Sequence, residues 1–142
     1  LVEIAREAPK AGFRLNEDTT RDSQLWILHT QIARELEFRT RPDVEVLLCD
    51  RSALDNYIYL IKKFGPEPGL DSMINEHMRT YDLLFKVPIN PQYLNSDKLR
   101  SVDPLFQKVI DELLDEELAK RSISFRHYGG IDSAMGIILG EK

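Results

Sequence analysis

The chain has 142 residues, 42% of them hydrophobic and 30% charged, which is typical of one soluble globular domain with a single substantial core. The formal net charge of −5 argues against a general nucleic-acid-binding surface, although a local basic cleft for an anionic ligand stays open. No run of 18 apolar residues is present, so no membrane span is predicted.

The single cysteine, Cys49, lies inside an apolar run. A disulfide framework is therefore excluded, and a reducing, cytoplasmic setting is expected. Core packing is one interpretation of Cys49 and a reactive thiol is the other, although apolar burial suppresses the thiolate.

The first half of the chain alternates short apolar runs with amphipathic helices. Residues 1–4 are predicted to be the tail of a strand, and a helix capped by Thr19 or Thr20 is predicted to run to about residue 39. Residues 44–49, V-E-V-L-L-C, form an apolar run of strand length that is typical of a parallel strand buried on both faces. A helix from Ser52 to about residue 64 follows.

The second half continues the alternation. It is predicted to contain a helix at 71–80, a strand at 83–87, a polar lid region at 88–103, a helix from 103 to about 121, a strand at 122–125 and a helix at 131–139. Alternating strands and helices predict a single α/β domain over residues 1–142 with a parallel sheet.

Asp50 and Arg51 stand at the carboxyl end of the predicted central strand. Open α/β sheets bind ligands at this edge, so the two charges are candidate site residues. The alternative is that they only cap the helix that begins after Ser52 and pair with each other.

Three segments carry a resemblance to a known group. L-L-C-D-R-S-A-L-D-N-Y-I-Y-L resembles the strand-plus-Asp-Arg element of P-loop nucleoside and nucleotide kinases and of the kinase-like, AAA-type ATPases related to them. E-I-A-R-E is similar to the E-x-A-R-E segment that follows their second strand, and S-D-K-L-R-S-V-D is similar to their arginine-bearing lid. The resemblance implies a three-layer fold, with a parallel sheet covered by helices on both faces.

One departure from this group is clear, because the sequence contains no G-x-x-x-x-G-K-[ST] phosphate loop. The resemblance places the first strand between the strands that end near Asp50 and Val87. Without it, unpaired strand edges would cost about 1–3 kcal/mol for each buried polar group. We therefore expect that roughly 30–45 upstream residues, enough for a strand, loop and helix, are missing from the sequence.

The resemblance implies catalytic roles for four residues, with ATP and Mg²⁺ as cofactors. Asp50 would bind Mg²⁺ through water, and Arg51 would neutralise phosphate charge. Glu3 would accept a proton from the attacking hydroxyl or hold the acceptor. Arg100 would stabilise the transferring group from the lid, with solvated surface as the alternative.

The remaining candidates are expected to contact the substrate or the cofactor. Arg6 and Glu7 would line the acceptor side, with solvated surface as the alternative, and Asp55 and Tyr57 would support Arg51 unless they are helix surface and core. The pair Gly129–Gly130 would let backbone approach an adenine or phosphate, unless it forms an ordinary turn.

Two functions stay open at this point. One is an ATP-dependent phosphotransferase acting on a nucleoside, nucleotide or similar small acceptor. The other is a nucleotide-dependent switch without a small acceptor, in which the acidic helix from residue 103 to 121 would bind a partner. The sequence also leaves a homodimer open.

Overall fold

The computed structural model describes residues 1–15, 18–90 and 103–140. These residues form five α-helices: α1 (Arg21–Arg39), α2 (Ala53–Phe64), α3 (Pro68–Met78), α4 (Pro104–Lys120) and α5 (Ile131–Gly140). Two short 3₁₀ helices, Ile4–Arg6 and Ala8–Ala11, precede them, and two short strands, β1 (Phe85–Lys86) and β2 (Arg126–His127), separate the later helices. The predicted lid lies largely in residues 91–102, outside the described part of the chain.

Local capping fixes where the first helices begin. The Thr20 hydroxyl accepts from the Ser23 N–H at 3.1 Å, and the Ser23 hydroxyl accepts from the Thr20 N–H at 2.9 Å. Ser52 and Asp55 make the same reciprocal arrangement at the start of α2. Both predicted helix starts are confirmed. Each cap accepts hydrogen bonds from two backbone N–H groups that have no carbonyl partner within the helix.

Helix α2 lies at the centre of the main core. It packs against α1, α3 and α4, and its apolar face supplies most of the buried cluster, which comprises Leu28, Ala53, Leu54, Tyr57, Ile58, Leu60, Ile74, Met78 and Leu118. Burial of this face is the main stabilising contribution to the helix assembly.

Strands β1 and β2 pair in parallel, with Phe85 opposite Arg126 and Lys86 opposite His127. β1 lies within the predicted strand at 83–87. The predicted strand at 122–125 is displaced to 126–127, because Ser122 adopts a left-handed φ of 53° and the Ile123 N–H bonds back to the Leu118 carbonyl at 3.0 Å. The chain therefore becomes extended a few residues later than expected.

A second parallel pairing joins the predicted first and central strands. The Leu1 nitrogen donates to the Leu48 carbonyl, and the Asp50 N–H donates to the Leu1 carbonyl at 2.9 Å. In a parallel pair, one residue donates to the residue before its partner and accepts from the residue after it. Leu1 does this with Leu48 and Asp50, so its partner in the pair is Cys49. The described residues are mostly helical, and their one sheet has two parallel strands, so the predicted parallel sheet is confirmed only in this small form. Neither 1–4 nor 44–49 forms a strand as predicted, because the 3₁₀ helix begins at Ile4 and a single residue pair joins the two segments.

The prediction that residues 44–49 are buried on both faces is wrong. Val46 is 44% exposed and Leu48 is 59% exposed, whereas the intervening Leu47 and the following Cys49 are half-buried. This alternation is the pattern of an extended segment packed on one face only. In the described part of the chain, no helix is both long and apolar enough to span a membrane.

Candidate functional site

The structure brings three of the predicted site residues together at the Leu1–Cys49 pairing. The Arg51 guanidinium lies 2.8 Å from one Glu3 carboxylate oxygen, and the Arg6 guanidinium lies 3.3 Å from the other. Glu3 is buried, whereas Arg6 is partly exposed. A buried carboxylate between two guanidiniums is held in one orientation and keeps its charge compensated.

The backbone and side chain of Arg51 are unusually constrained. Its φ of 80° lies in the left-handed region, which costs a non-glycine residue on the order of 1–3 kcal/mol and persists only where neighbours impose it. The guanidinium lies over the Tyr59 ring, 5.0 Å from its centroid. Burial would lower the pKa of this guanidinium, but Tyr59 and Glu3 raise it above its ordinary value, so Arg51 stays charged.

Asp50 is exposed and immediately precedes Arg51. Among the described residues, no group of three or more His, Cys, Asp or Glu side chains is close enough to hold a metal ion. A lone exposed carboxylate nevertheless fits Mg²⁺, which keeps several waters and uses one or two protein carboxylates. Asp50 would then hold the ion through water.

Burial would lower the pKa of Arg51, but the negative charge of Asp55 helps to raise it, in agreement with the expected support, whereas Tyr57 takes the alternative position in the core. Asp55 accepts from the Ser52 N–H at 2.8 Å and from the Ser52 hydroxyl at 2.6 Å, so it caps α2. Tyr57 is buried in the core, and its hydroxyl accepts from the Glu67 N–H at 3.0 Å. The aromatic residue that supports Arg51 is Tyr59, two positions further along α2, which corrects the predicted support by Tyr57.

The other candidates are Glu7, Gly129, Gly130 and Arg100. Glu7 is half-buried at the end of the first 3₁₀ helix. Gly129 and Gly130 directly precede α5, and the φ of 110° at Gly130 lies in the region that favours glycine. Their role toward a cofactor stays a prediction. Arg100 lies in the segment 91–102, which the structure does not describe.

Sequence reasoning missed a buried polar network behind the Asp50–Arg51 segment. It is centred on Glu35 of α1, whose carboxylate lies 2.7 Å from His77 Nε2 and accepts from the Tyr81 hydroxyl at 2.9 Å and from Gln31 Nε2 at 2.6 Å. A signal was present, because Gln31 and Glu35 occupy positions one turn and two turns after the buried Ile27. Polar residues on the buried stripe of a helix must find polar partners.

The comparisons with known proteins gave one match. Residues 1–130 match the protein family described as AAA domain. The match spans 130 of the 142 residues and includes every predicted site residue. Neither the curated proteins nor the solved structures contain a match to the chain.

Proposed function

The chain belongs to the AAA domain family, a family of P-loop NTPases with an α/β fold, and we propose that it is an ATP-dependent phosphotransferase acting on a small-molecule acceptor. Membership of the family indicates nucleotide binding and hydrolysis. The acceptor class we propose is a nucleoside, a nucleotide or a similar hydroxyl-bearing molecule, with Mg²⁺ as the metal.

The observation that carries the proposal is the Glu3 carboxylate between Arg6 and Arg51, next to the exposed Asp50. An active site that only hydrolyses ATP has less need of a fixed carboxylate and two guanidiniums beside the carboxylate that binds the metal. Transfer to an acceptor needs these groups, because a hydroxyl must be oriented and phosphate charge must be neutralised. The cluster therefore suits an acceptor that carries both a hydroxyl and negative charge.

The proposed roles follow from the geometry. Glu3 would orient the acceptor hydroxyl or accept its proton, and its pairing with Arg51 fixes the carboxylate for that purpose. Arg6, which is partly exposed, would meet the acceptor. Asp50 would hold Mg²⁺, which neutralises phosphate charge when it is bound.

We further propose that the Leu1–Cys49 pairing and the β1–β2 pairing belong to one parallel sheet with helices on both faces. Both pairings run parallel, and apolar side chains of both segments face solvent, including Val46, Leu48 and Val87. Such a sheet would align the carboxyl ends of all four segments at one edge, where α/β sheets bind ligands. The domain would then be a single unit with its lid at about residues 88–103.

The proposal is tested by measuring ATP consumption of the full natural polypeptide with Mg²⁺, with and without a panel of nucleosides and nucleotides. We expect at least one compound to stimulate turnover and to become phosphorylated. Asp50→Asn should lower turnover about 100-fold, whereas Asp43→Asn, at an exposed carboxylate paired with Arg41, should leave it unchanged. Turnover that no compound stimulates would contradict the phosphotransferase.

That same outcome would favour the second candidate function, a nucleotide-dependent switch that binds a partner. One observation supports this alternative, namely that the apolar Leu105 and Val109 on α4 face solvent one turn apart. The acidic Asp111 and Asp115, further along α4, pair with Lys86. A partner would bind this face through apolar contacts.

A further inference from the structure

The polar network centred on Glu35 is buried within the helix assembly, behind the candidate site. Glu35 is 2% exposed, and its carboxylate receives hydrogen bonds from Gln31 and Tyr81, with His77 at 2.7 Å. These groups come from α1, from α3 and from the segment that follows α3. One carboxylate therefore ties three parts of the chain together.

Two of the network's connections end on Arg51 and Ala53, directly after Asp50. Gln31 Nε2, which donates to Glu35, also donates to the Arg51 carbonyl at 3.2 Å. The Tyr81 hydroxyl, which donates to Glu35, accepts from the Ala53 N–H at 2.9 Å. The backbone at positions 51 and 53 is thereby fixed from the interior.

We propose that Glu35 is a positioning residue for Asp50 and Arg51. The inference rests on the proposed function, because it assigns Glu35 to the same site. Glu35 does not touch the substrate in this proposal. It acts through Gln31 and Tyr81, which fix the backbone at Arg51 and Ala53, directly after the exposed Asp50, and keep Arg51 in its left-handed conformation.

The cost of the arrangement supports a role beyond packing. A buried carboxylate is expensive unless it is fully hydrogen-bonded, and an apolar side chain of similar volume often stabilises a core equally well. The left-handed Arg51 is a second unfavourable feature, and strained backbone of this kind clusters at functional sites. The same hydrogen bonds stabilise the buried carboxylate and the left-handed backbone. This is expected where residues outside a site fix the orientation of the residues that form it.

The test compares Glu35→Gln with Glu37→Gln, an exposed residue of the same helix that pairs with Arg34 at 3.5 Å. Two quantities are measured on the full natural polypeptide: kcat and KM for Mg-ATP-dependent turnover, and amide hydrogen exchange by mass spectrometry. For Glu35→Gln we expect kcat to fall about 10- to 100-fold with little change in KM. Exchange in residues 49–53 should rise at least about tenfold, while α4 stays protected.

A purely structural role predicts a different pattern. Glu35→Gln would then have a lower melting temperature and faster amide exchange throughout the helices, with kcat unchanged. Exchange in residues 49–53 would rise no more than exchange in the helices, and this result would overturn the proposal. If Glu35→Gln does not fold, Tyr81→Phe, which removes two of the hydrogen bonds and keeps the ring, decides by the same criteria. If the wild-type protein shows no turnover, the proposed function fails, and exchange in residues 49–53 alone decides the positioning role.

Discussion

The Arg51 guanidinium lies 2.8 Å from the Glu3 carboxylate, and both side chains are largely shielded from solvent. The two residues follow the segments that pair in parallel at Leu1 and Cys49. Their ion pair therefore joins the same two segments that the backbone hydrogen bonds join. The contact therefore stabilises the packing of these segments and also fixes two side chains of the candidate site.

The first prediction concerns the stability of this ion pair. Glu3→Gln should lower the free energy of unfolding by about 3 kcal/mol, because it leaves the largely shielded Arg51 guanidinium without the carboxylate it contacts. The double variant Glu3→Gln/Arg51→Met should lose less than the sum of the single losses, since neither charge is then stranded. Urea denaturation measures both quantities.

A matched control for this prediction is Arg34→Met. Arg34 and Glu37 form an exposed pair at 3.5 Å, and the loss should stay within about 0.5 kcal/mol. Strict additivity of the Glu3 and Arg51 substitutions would contradict the interpretation that the two charges depend on each other.

The second prediction concerns the start of α2, directly after the candidate site. Ser52→Ala removes the hydroxyl that accepts from the Asp55 N–H at 3.3 Å and donates to the Asp55 carboxylate at 2.6 Å. We expect a loss of about 1 kcal/mol in the free energy of unfolding, as for other N-caps. Ser52→Thr keeps the hydroxyl and should retain most of the stability. Equal losses for alanine and threonine would show that the hydroxyl is not the cause.

The helices could be predicted from the sequence because their signals are local. Thr20, Ser52 and Asp103 each stand directly before an amphipathic stretch, and each caps the helix that follows. The start of α3 at Pro68 rather than near residue 71 is a boundary error, since proline suits the first turn of a helix and also suits the turn that precedes it.

The strands and the site were less predictable, because they depend on residues far apart in the chain. The sequence pattern indicates an apolar run at 44–49 but not which face its neighbours cover, so the burial of Val46 and Leu48 was overpredicted. Spacing placed Tyr57 near Arg51. The direction of α2 determines instead that Tyr59 meets the guanidinium, and one helical residue rotates a side chain by about 100°.

The third prediction concerns the buried Arg121, whose side chain is 4% exposed and lies 2.8 Å from Asp71 and 2.7 Å from Glu117. Burial would raise the pKa of Asp71, but its hydrogen bonds with Arg121 and Tyr57 hold that pKa below its ordinary value. A depressed carboxyl pKa stabilises the fold above the unfolded-state pKa, and this contribution is lost as the pH falls through the folded-state pKa.

Asp71→Asn should therefore cost about 2 kcal/mol at pH 7, and the difference from wild type should shrink below about pH 4. Unfolding by urea across this pH range measures the effect. Glu112→Gln is the control, because Glu112 forms an exposed pair with Lys108 at 3.6 Å and should change little at any pH. A difference for Asp71→Asn that is independent of pH would contradict an electrostatic origin.

The last prediction concerns the Cys49 thiol, which is half-buried beside Glu35. Burial, followed by the negative charge of Glu35, raises its pKa to about 11. Because the thiolate is the reactive form, alkylation by iodoacetamide at pH 8 should be at least about 100-fold slower in the folded protein than in urea. The rate should keep rising about tenfold for each pH unit through pH 10, for as long as the fold persists. A rate that levels off near pH 9 would show that the thiol ionises like a free cysteine, and that neither burial nor Glu35 acts on it.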